Sequence, residues 1–206
     1  MARTGRPREF DEAKALDAAL RLFWQQGYEA TSISQLTGAM GGLSTASFYA
    51  TFKSKDCLFR RTVDLYLETY GQALSPLFDE TLPPKEALEA MLRRSAAMQT
   101  SLGHPSGCLI GLGASGWSTQ NAALSDLLAR ERARNRQAID AVIGRAAERG
   151  IVAKAQTAGL ATLLEALLLG MSVQARDGVS QAEIALAIDK AICLFDSCGG
   201  SGLQLR

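Results

Sequence analysis

Apolar residues recur at helical spacing along almost the whole chain. In residues 11–27, DEAKALDAALRLFWQQG, Leu16, Ala19, Leu20 and Phe23 fall on one face, and Gly27 is a natural stop. SISQ at 32–35 has the form of a capping box and predicts a short helix to about Met40. Ser44 is placed to cap a helix in TASFYATF. From Ser54 the pattern predicts a long helix running toward Leu77, with Asp56 suited to its positive end. TLPP at 81–84 breaks it, and the second proline can begin the next helix, which runs to about Leu102.

GHPSG at 103–107 reads as a loop, and CLIGLGASGW at 108–117 as a weak helix that packs closely or lines a cavity. A long helix is predicted over 121–149, with RERARNR at 130–136 forming a solvated face. Two apolar helices, about 154–176 and 180–197, follow on either side of RDG. Strand patterns are almost absent and no repeat is present, so the fold class is all-α.

Composition adds limits. With 47% hydrophobic and 21% charged residues, the 206-residue chain can build a sizeable core. A net charge of +1 means that any nucleic-acid surface is local; MARTGRPR, with three arginines and no acid, is the strong basic cluster. The N-terminus lacks the apolar stretch of a signal peptide, and no uninterrupted apolar run approaches the ~18 residues of a membrane span. The longest, LATLLEALLLGM, is broken by Glu165 and reads as a buried helix. Four cysteines without CxxC spacing and the single His104 supply no metal set, and cytoplasmic, reduced thiols are the default. No Ser/His/Asp set, GxGxxG or phosphate-binding loop points to an enzyme, and no cofactor is implied.

Residues 11–52 fit a three-helix unit in which Ile33, Leu36, Leu43 and Phe48 fix the angle between the last two helices. Three packed helices of a bundle would show the same periodicity. The residues are more specific: AALRLFWQQGYEATSI, the glycine turn, the Phe-Tyr pair and FKSKDCLF resemble the N-terminal DNA-binding domain of the tetracycline-repressor (TetR) family of bacterial regulators. The resemblance covers roughly the first 65 residues.

It implies roles position by position. Thr31 and Ser32 match positions that hold phosphate. Ser44, Thr45, Ala46 and Ser47 match the opening of the recognition helix, and Tyr49, Lys53 and Lys55 match backbone contacts. Small side chains allow close approach, and Thr45 and Ala46 suit a thymine methyl. Arg3, Arg6 and Arg8 suit an arm along a minor groove, or merely a solubilising tail. Family turns pass from Ala-x-Gly directly to an apolar residue and Ser, whereas Gly41-Gly42 precede Leu43 and Ser44 here. The added residue either bulges outward or shifts the contacts of 44–47 by one position.

The expected division is a DNA-binding domain at 1–55 and a helical ligand-binding and dimerisation domain at 56–206. By the resemblance, the second holds a small-molecule effector, pairs as a homodimer through the last two helices and releases a near-palindromic operator. Candidate ligand or sensor residues are Met98, His104, Cys108, Leu112, Trp117, Glu165 and Gln174, several of which also suit plain core or loop roles. Glu165, within an apolar run, needs a partner, either at a cavity or across the dimer. Cys108, at the start of a helix, suits a thiol sensor of electrophiles or oxidants, or a buried structural role. A third reading is a dimeric helical binding protein that no longer recognises specific DNA.

Overall fold

The computed structural model describes residues 11–199. Within them the chain is helical, with no strand among the described residues, and divides into two compact units, the first ending at Leu65 and the second beginning at Tyr66.

The first unit contains α1 (Glu12–Gln26), α2 (Ile33–Ala39), α3 (Thr45–Phe52) and most of α4 (Lys55–Glu68). Asp11 caps α1, and Ala15, Ala19, Leu20, Phe23 and Trp24 form its buried face. Ala15 rather than Leu16 opens that face, so the helix is turned slightly from the predicted stripe. The capping box of α2 forms as expected: Ser32 Oγ accepts from Gln35 N–H, and Gln35 Oε1 accepts from Ser32 N–H. Aromatic edges close the core, with the Phe23 and Phe59 rings 5.1 Å apart and Tyr28 and Phe59 also 5.1 Å apart.

The predicted long helix to Leu77 is interrupted. α4 ends at Glu68, and Tyr70–Phe78 continues as a 3-10 helix. Gly71 weakens an α-helix, and Pro76 has no N–H to return to the carbonyl four residues back, so tighter bonding replaces the α pattern.

The second unit packs α5 (Pro84–Gln99), α6 (Leu109–Leu112), α7 (Ala122–Glu148), α8 (Thr157–Arg176) and α9 (Gln181–Ser197). α5 ends at Gln99, short of Leu102, and only one turn of CLIGLGASGW is helical. Leu88, Met91 and Leu92 of α5, Ile139, Val142 and Ile143 of α7, Leu164 and Met171 of α8, and Ile188 and Phe195 of α9 form one core. A second capping box, Ser180 with Glu183, starts α9.

The span 154–176 is long and apolar enough by composition to cross a membrane, with a mean hydropathy of 1.5 in its best window. Its Leu160, Leu164, Leu168 and Met171 instead lie in the core of the second unit.

Candidate nucleic-acid interface and ligand cavity

The first unit presents α3 through an unusual turn. Gly41 and Gly42 both take positive φ, +89° and +79°. Consecutive residues in this region are rare for side chains with a Cβ, so the pair suits glycine alone. The amides of Gly42 and Leu43 both bond Thr37 O, so the added residue is absorbed within a hydrogen-bonded turn.

Ser44 caps α3 by accepting Ser47 N–H at 3.1 Å, and the two hydroxyls bond each other at 2.8 Å. Phe48 and Phe52 point into the core, while Ser44, Thr45, Ala46, Ser47, Tyr49 and Ala50 are exposed on the other side. The predicted contact residues of α3 therefore share one accessible face.

The other predicted contacts are placed less uniformly. Ser32 is exposed but occupied as a cap. Thr31 is only 1% exposed; its hydroxyl donates to Gly27 O at 2.6 Å and accepts from Gln26 Nε2 at 3.1 Å, which commits that side chain to the protein interior. Lys53 is exposed beyond α3. Lys55 lies over the Tyr28 ring, 4.0 Å from its centroid, and burial lowers its pKa despite the opposing pull of Glu29 and Asp56. Tyr28 in turn donates to Asp56, fixing the loop after α1 to the first turn of α4. Arg3, Arg6 and Arg8 lie outside the described residues.

The second unit encloses a largely apolar cavity with about 40 Å³ of free space, room for a few water-sized groups. Tyr66, Leu67, Tyr70, Met98, Leu168 and Leu169 contribute apolar wall. Polar side chains also reach it, among them Tyr66, Ser95, Gln99, Cys108, Arg132, Asn135 and Ser172. Tyr66 OH donates to Cys108 Sγ at 3.2 Å, and Gly111 N–H reaches the same sulfur at 3.4 Å. Burial first, and the neighbouring Cys108 second, push the Tyr66 phenol well above its ordinary value. Arg132 is held by carbonyls, with Nη1 donating to Ile110 O at 2.9 Å, and burial lowers its pKa. Gln99 and Ser172 are each 1% exposed, and their Oε1 and Oγ atoms have no hydrogen-bond partner.

Of the sequence candidates, Met98 and Cys108 line this cavity. His104 packs edge-on against Tyr70 with ring centroids 4.6 Å apart. Trp117 Nε1 donates to Gly113 O, Leu112 abuts Gly107, and Gln174 is exposed. Glu165 is not on the cavity wall: its partner is Arg136 of α7 at 3.0 Å, which answers the need for a counter-charge within one chain. Sequence reading passed over Tyr66, Gln99, Arg132 and Ser172. Arg132 looked like part of a solvated charge run, and Ser172 like filler in an apolar helix; only helix rotation distinguishes them.

Comparison with known proteins agrees with the helical layout. Residues 15–62 match the family model described as bacterial regulatory proteins, tetR family. The chain is 33% identical over 178 residues to the HTH-type transcriptional repressor ComR of Escherichia coli, covering 85% of this chain and 84% of ComR. It is 34% identical over 106 residues to the repressor BdcR of the same organism, covering 52% of this chain and 53% of BdcR. A cysteine-substituted variant of the TetR family regulator CifR, solved with 26-base-pair operator DNA, superposes with a TM-score of 0.82 at 33% identity, covering 92% of this chain and 98% of that one. The chain belongs to the TetR family of bacterial transcriptional regulators, as a DNA-binding repressor rather than an enzyme.

Proposed function

We propose that this repressor acts as a homodimer on a near-palindromic operator in the cytoplasm and releases it when a small molecule occupies the cavity of the second unit. The observation that carries the effector reading is the pair of unpartnered atoms, Gln99 Oε1 and Ser172 Oγ, in a largely apolar cavity. A buried polar atom left unbonded costs about 1–3 kcal/mol, and a ligand that bonds it recovers that cost. The solved operator complex of CifR supports the assignment of α3 as the reading helix, with Ser44, Thr45, Ala46, Ser47 and Tyr49 at the DNA and Lys53 beside it.

The dimer reading rests on α8 and α9. Each has a face in the core and yet leaves large apolar side chains outward: Leu163, Val173, Leu186 and Leu194, with Leu186 65% exposed. Two such helices from each of two chains bury one another in a four-helix contact. A twofold dimer then presents two α3 helices to successive turns of DNA. In this reading the DNA-binding domain spans 1–55 and the effector domain 56–206; the compact units divide later, between Leu65 and Tyr66, so α4 carries Leu58 and Phe59 in the first unit and Tyr66 in the second. Effector binding at Tyr66 is transmitted along this helix, with a coupling on the order of 1–3 kcal/mol.

Fluorescence anisotropy of the protein on the intergenic DNA beside its own gene, against scrambled DNA at two salt concentrations, tests the operator reading. Sequence-dependent binding that weakens steeply with salt is expected, because phosphate neutralisation dominates affinity. Equal affinity for both DNAs at either salt removes this operator.

A second reading is favoured by the Tyr66–Cys108 contact: a thiol that receives two hydrogen bonds inside the cavity is a sensor of electrophiles or oxidants. Release of DNA by such reagents, and its loss in Cys108→Ser, supports it. An undiminished response in that variant removes it.

A further inference from the structure

We infer that α3 reads its operator half-site through thymine methyl groups, so that the bases facing it are A·T pairs recognised by apolar contact. This rests on the proposed role of α3 and adds the class of sequence it selects.

The accessible face of α3 has a narrow chemistry. TASFYATF contains no Arg, Lys, Asn or Gln, the residues whose paired hydrogen bonds distinguish guanine and adenine in the major groove. Its exposed groups are the Thr45 methyl and hydroxyl, the Ala46 and Ala50 methyls, the Ser44 and Ser47 hydroxyls, and the Tyr49 ring. The two serine hydroxyls are bonded to each other, and Ser44 also accepts the Ser47 amide. That leaves, beside the Thr45 hydroxyl, methyl groups as the distinctive surface of the first turn.

The neighbouring polar side chains are engaged elsewhere. Gln35 of α2 has its Oε1 taken by Ser32 N–H in the capping box at 2.8 Å, and Lys14 of α1, beside Ser44 and Ser47, is ion-paired with Asp11 at 2.8 Å. Lys53 and Lys55 lie beyond the far end of α3 from Thr45, and Lys55 is over the Tyr28 ring. Cationic side chains there suit phosphate, which carries no sequence information.

Small side chains also permit close approach. Thr45 and Ala46 extend little from the helix, and the Gly41-Gly42 turn before them has open space at both positions. A backbone brought that near the groove floor places alanine and threonine methyls against the one apolar group that a base pair presents, the thymine methyl.

The test begins with affinity selection of high-affinity duplexes from a randomised pool by the full-length protein. In the recovered half-site, each thymidine is then replaced singly by deoxyuridine, which removes the methyl and keeps every hydrogen-bonding edge. The expected result is about fourfold weaker binding at each thymine that faces α3, as for one methyl taken from contact.

Thr45→Ser and Ala46→Gly are then measured as the thymidine-to-deoxyuridine affinity ratio within each variant, which cancels any general loss of stability. The penalty should disappear at the base facing the missing methyl. Deoxyuridine duplexes that bind as tightly as the parent overturn the inference, as do half-sites weakened chiefly by deazaguanine. A penalty unchanged in both variants also overturns it. Failure of the pool to yield any preferred sequence is a different result: it removes the operator reading itself, and this inference with it.

Discussion

The Tyr66 hydroxyl donates to the sulfur of Cys108 across 3.2 Å, joining α4 to the residue that caps α6. The contact ties two helices together, so its loss should be felt in stability. In Tyr66→Phe, which keeps the ring and removes the donor, a loss of about 1 kcal/mol is expected for the missing hydrogen bond. Urea unfolding of the variant beside the unmodified protein reads the effect. An unchanged unfolding midpoint means that the contact contributes nothing to the stability of the second unit.

Gln99 makes the opposite kind of prediction. Its Oε1 atom is buried without a partner, so the apolar and similarly long Gln99→Met should be stability-neutral or gain up to about 1 kcal/mol. The same change should weaken the response to any effector that bonds this position. Chemical denaturation of the effector-free protein gives a clean comparison. A loss of 2 kcal/mol or more, by the same reasoning, would show that the amide is needed structurally.

These two residues also show what a sequence conceals. The capping box at Ser32, the Ser44 cap and the stop at Gly27 depend on residues within one helical turn of each other, and all were legible from order alone, whereas the box at Ser180 and the stop at Gln99 went unread. The recognition helix was legible for the same reason: Phe48 and Phe52 fix which side of α3 is buried, and therefore which side is accessible. The cavity was not. It brings together Tyr66, Gln99, Cys108, Arg132 and Ser172 from separate helices, and a rotation of any one by a residue would exchange wall for solvent. The break of the helix after Glu68 was likewise obscured, because Gly71 and Pro76 act together and neither alone requires it.

Gly107 is held by two constraints at once. Its φ is +81°, and a Cβ there would stand 2.6 Å from Ser172 O and 2.8 Å from Leu112 Cδ1. Gly116 has a similar φ of +84° but nothing within 4 Å of the same position. Gly116→Ala is expected to cost roughly 1–2 kcal/mol from backbone strain alone. Gly107→Ala adds collision with a backbone carbonyl beside the cavity and should cost at least about twice that. Thermal unfolding of the two variants in parallel isolates the steric part. Equal losses would mean that the α8 backbone yields without cost.

Tyr28 predicts a sensitivity at high pH. Its pKa is raised above the ordinary 10.0, first by burial and then by the hydrogen bond to Asp56 and the charges of Asp56 and Glu29. The folded state therefore keeps the neutral phenol after the unfolded chain has begun to ionise. Its stabilising contribution is complete below pH 10 and is lost as the pH rises through the folded value. Tyr28→Phe should cost about 1 kcal/mol at neutral pH, where the hydrogen bond is lost, and the gap to the unmodified protein should narrow above pH 10. Denaturant midpoints collected across that range test this; a gap that widens reverses the assignment.

Lys53 carries backbone strain at the place where a positive charge is useful. It has φ +66° and ψ −50°, and Ser54 N–H returns to Phe52 O at 2.7 Å, which closes a γ-turn of the strained kind around a residue with a full side chain. Such a conformation costs of the order of 1–3 kcal/mol, and glycine tolerates it better. Glycine also loses more freedom on folding, so Lys53→Gly should leave a net gain of only about 0.5–1 kcal/mol. DNA affinity should move the other way. Loss of one phosphate contact per chain lowers the magnitude of the salt slope by about 1 for each lysine removed, with little change in sequence preference. Lys53→Gln separates the two effects, because it removes the charge and retains the strain. If Lys53→Gly is more stable and both variants lose the same salt dependence, the turn is strained in order to hold a cation beside α3; if Lys53→Gln keeps the original slope, the lysine does not meet phosphate and the strain serves only to join α3 to α4.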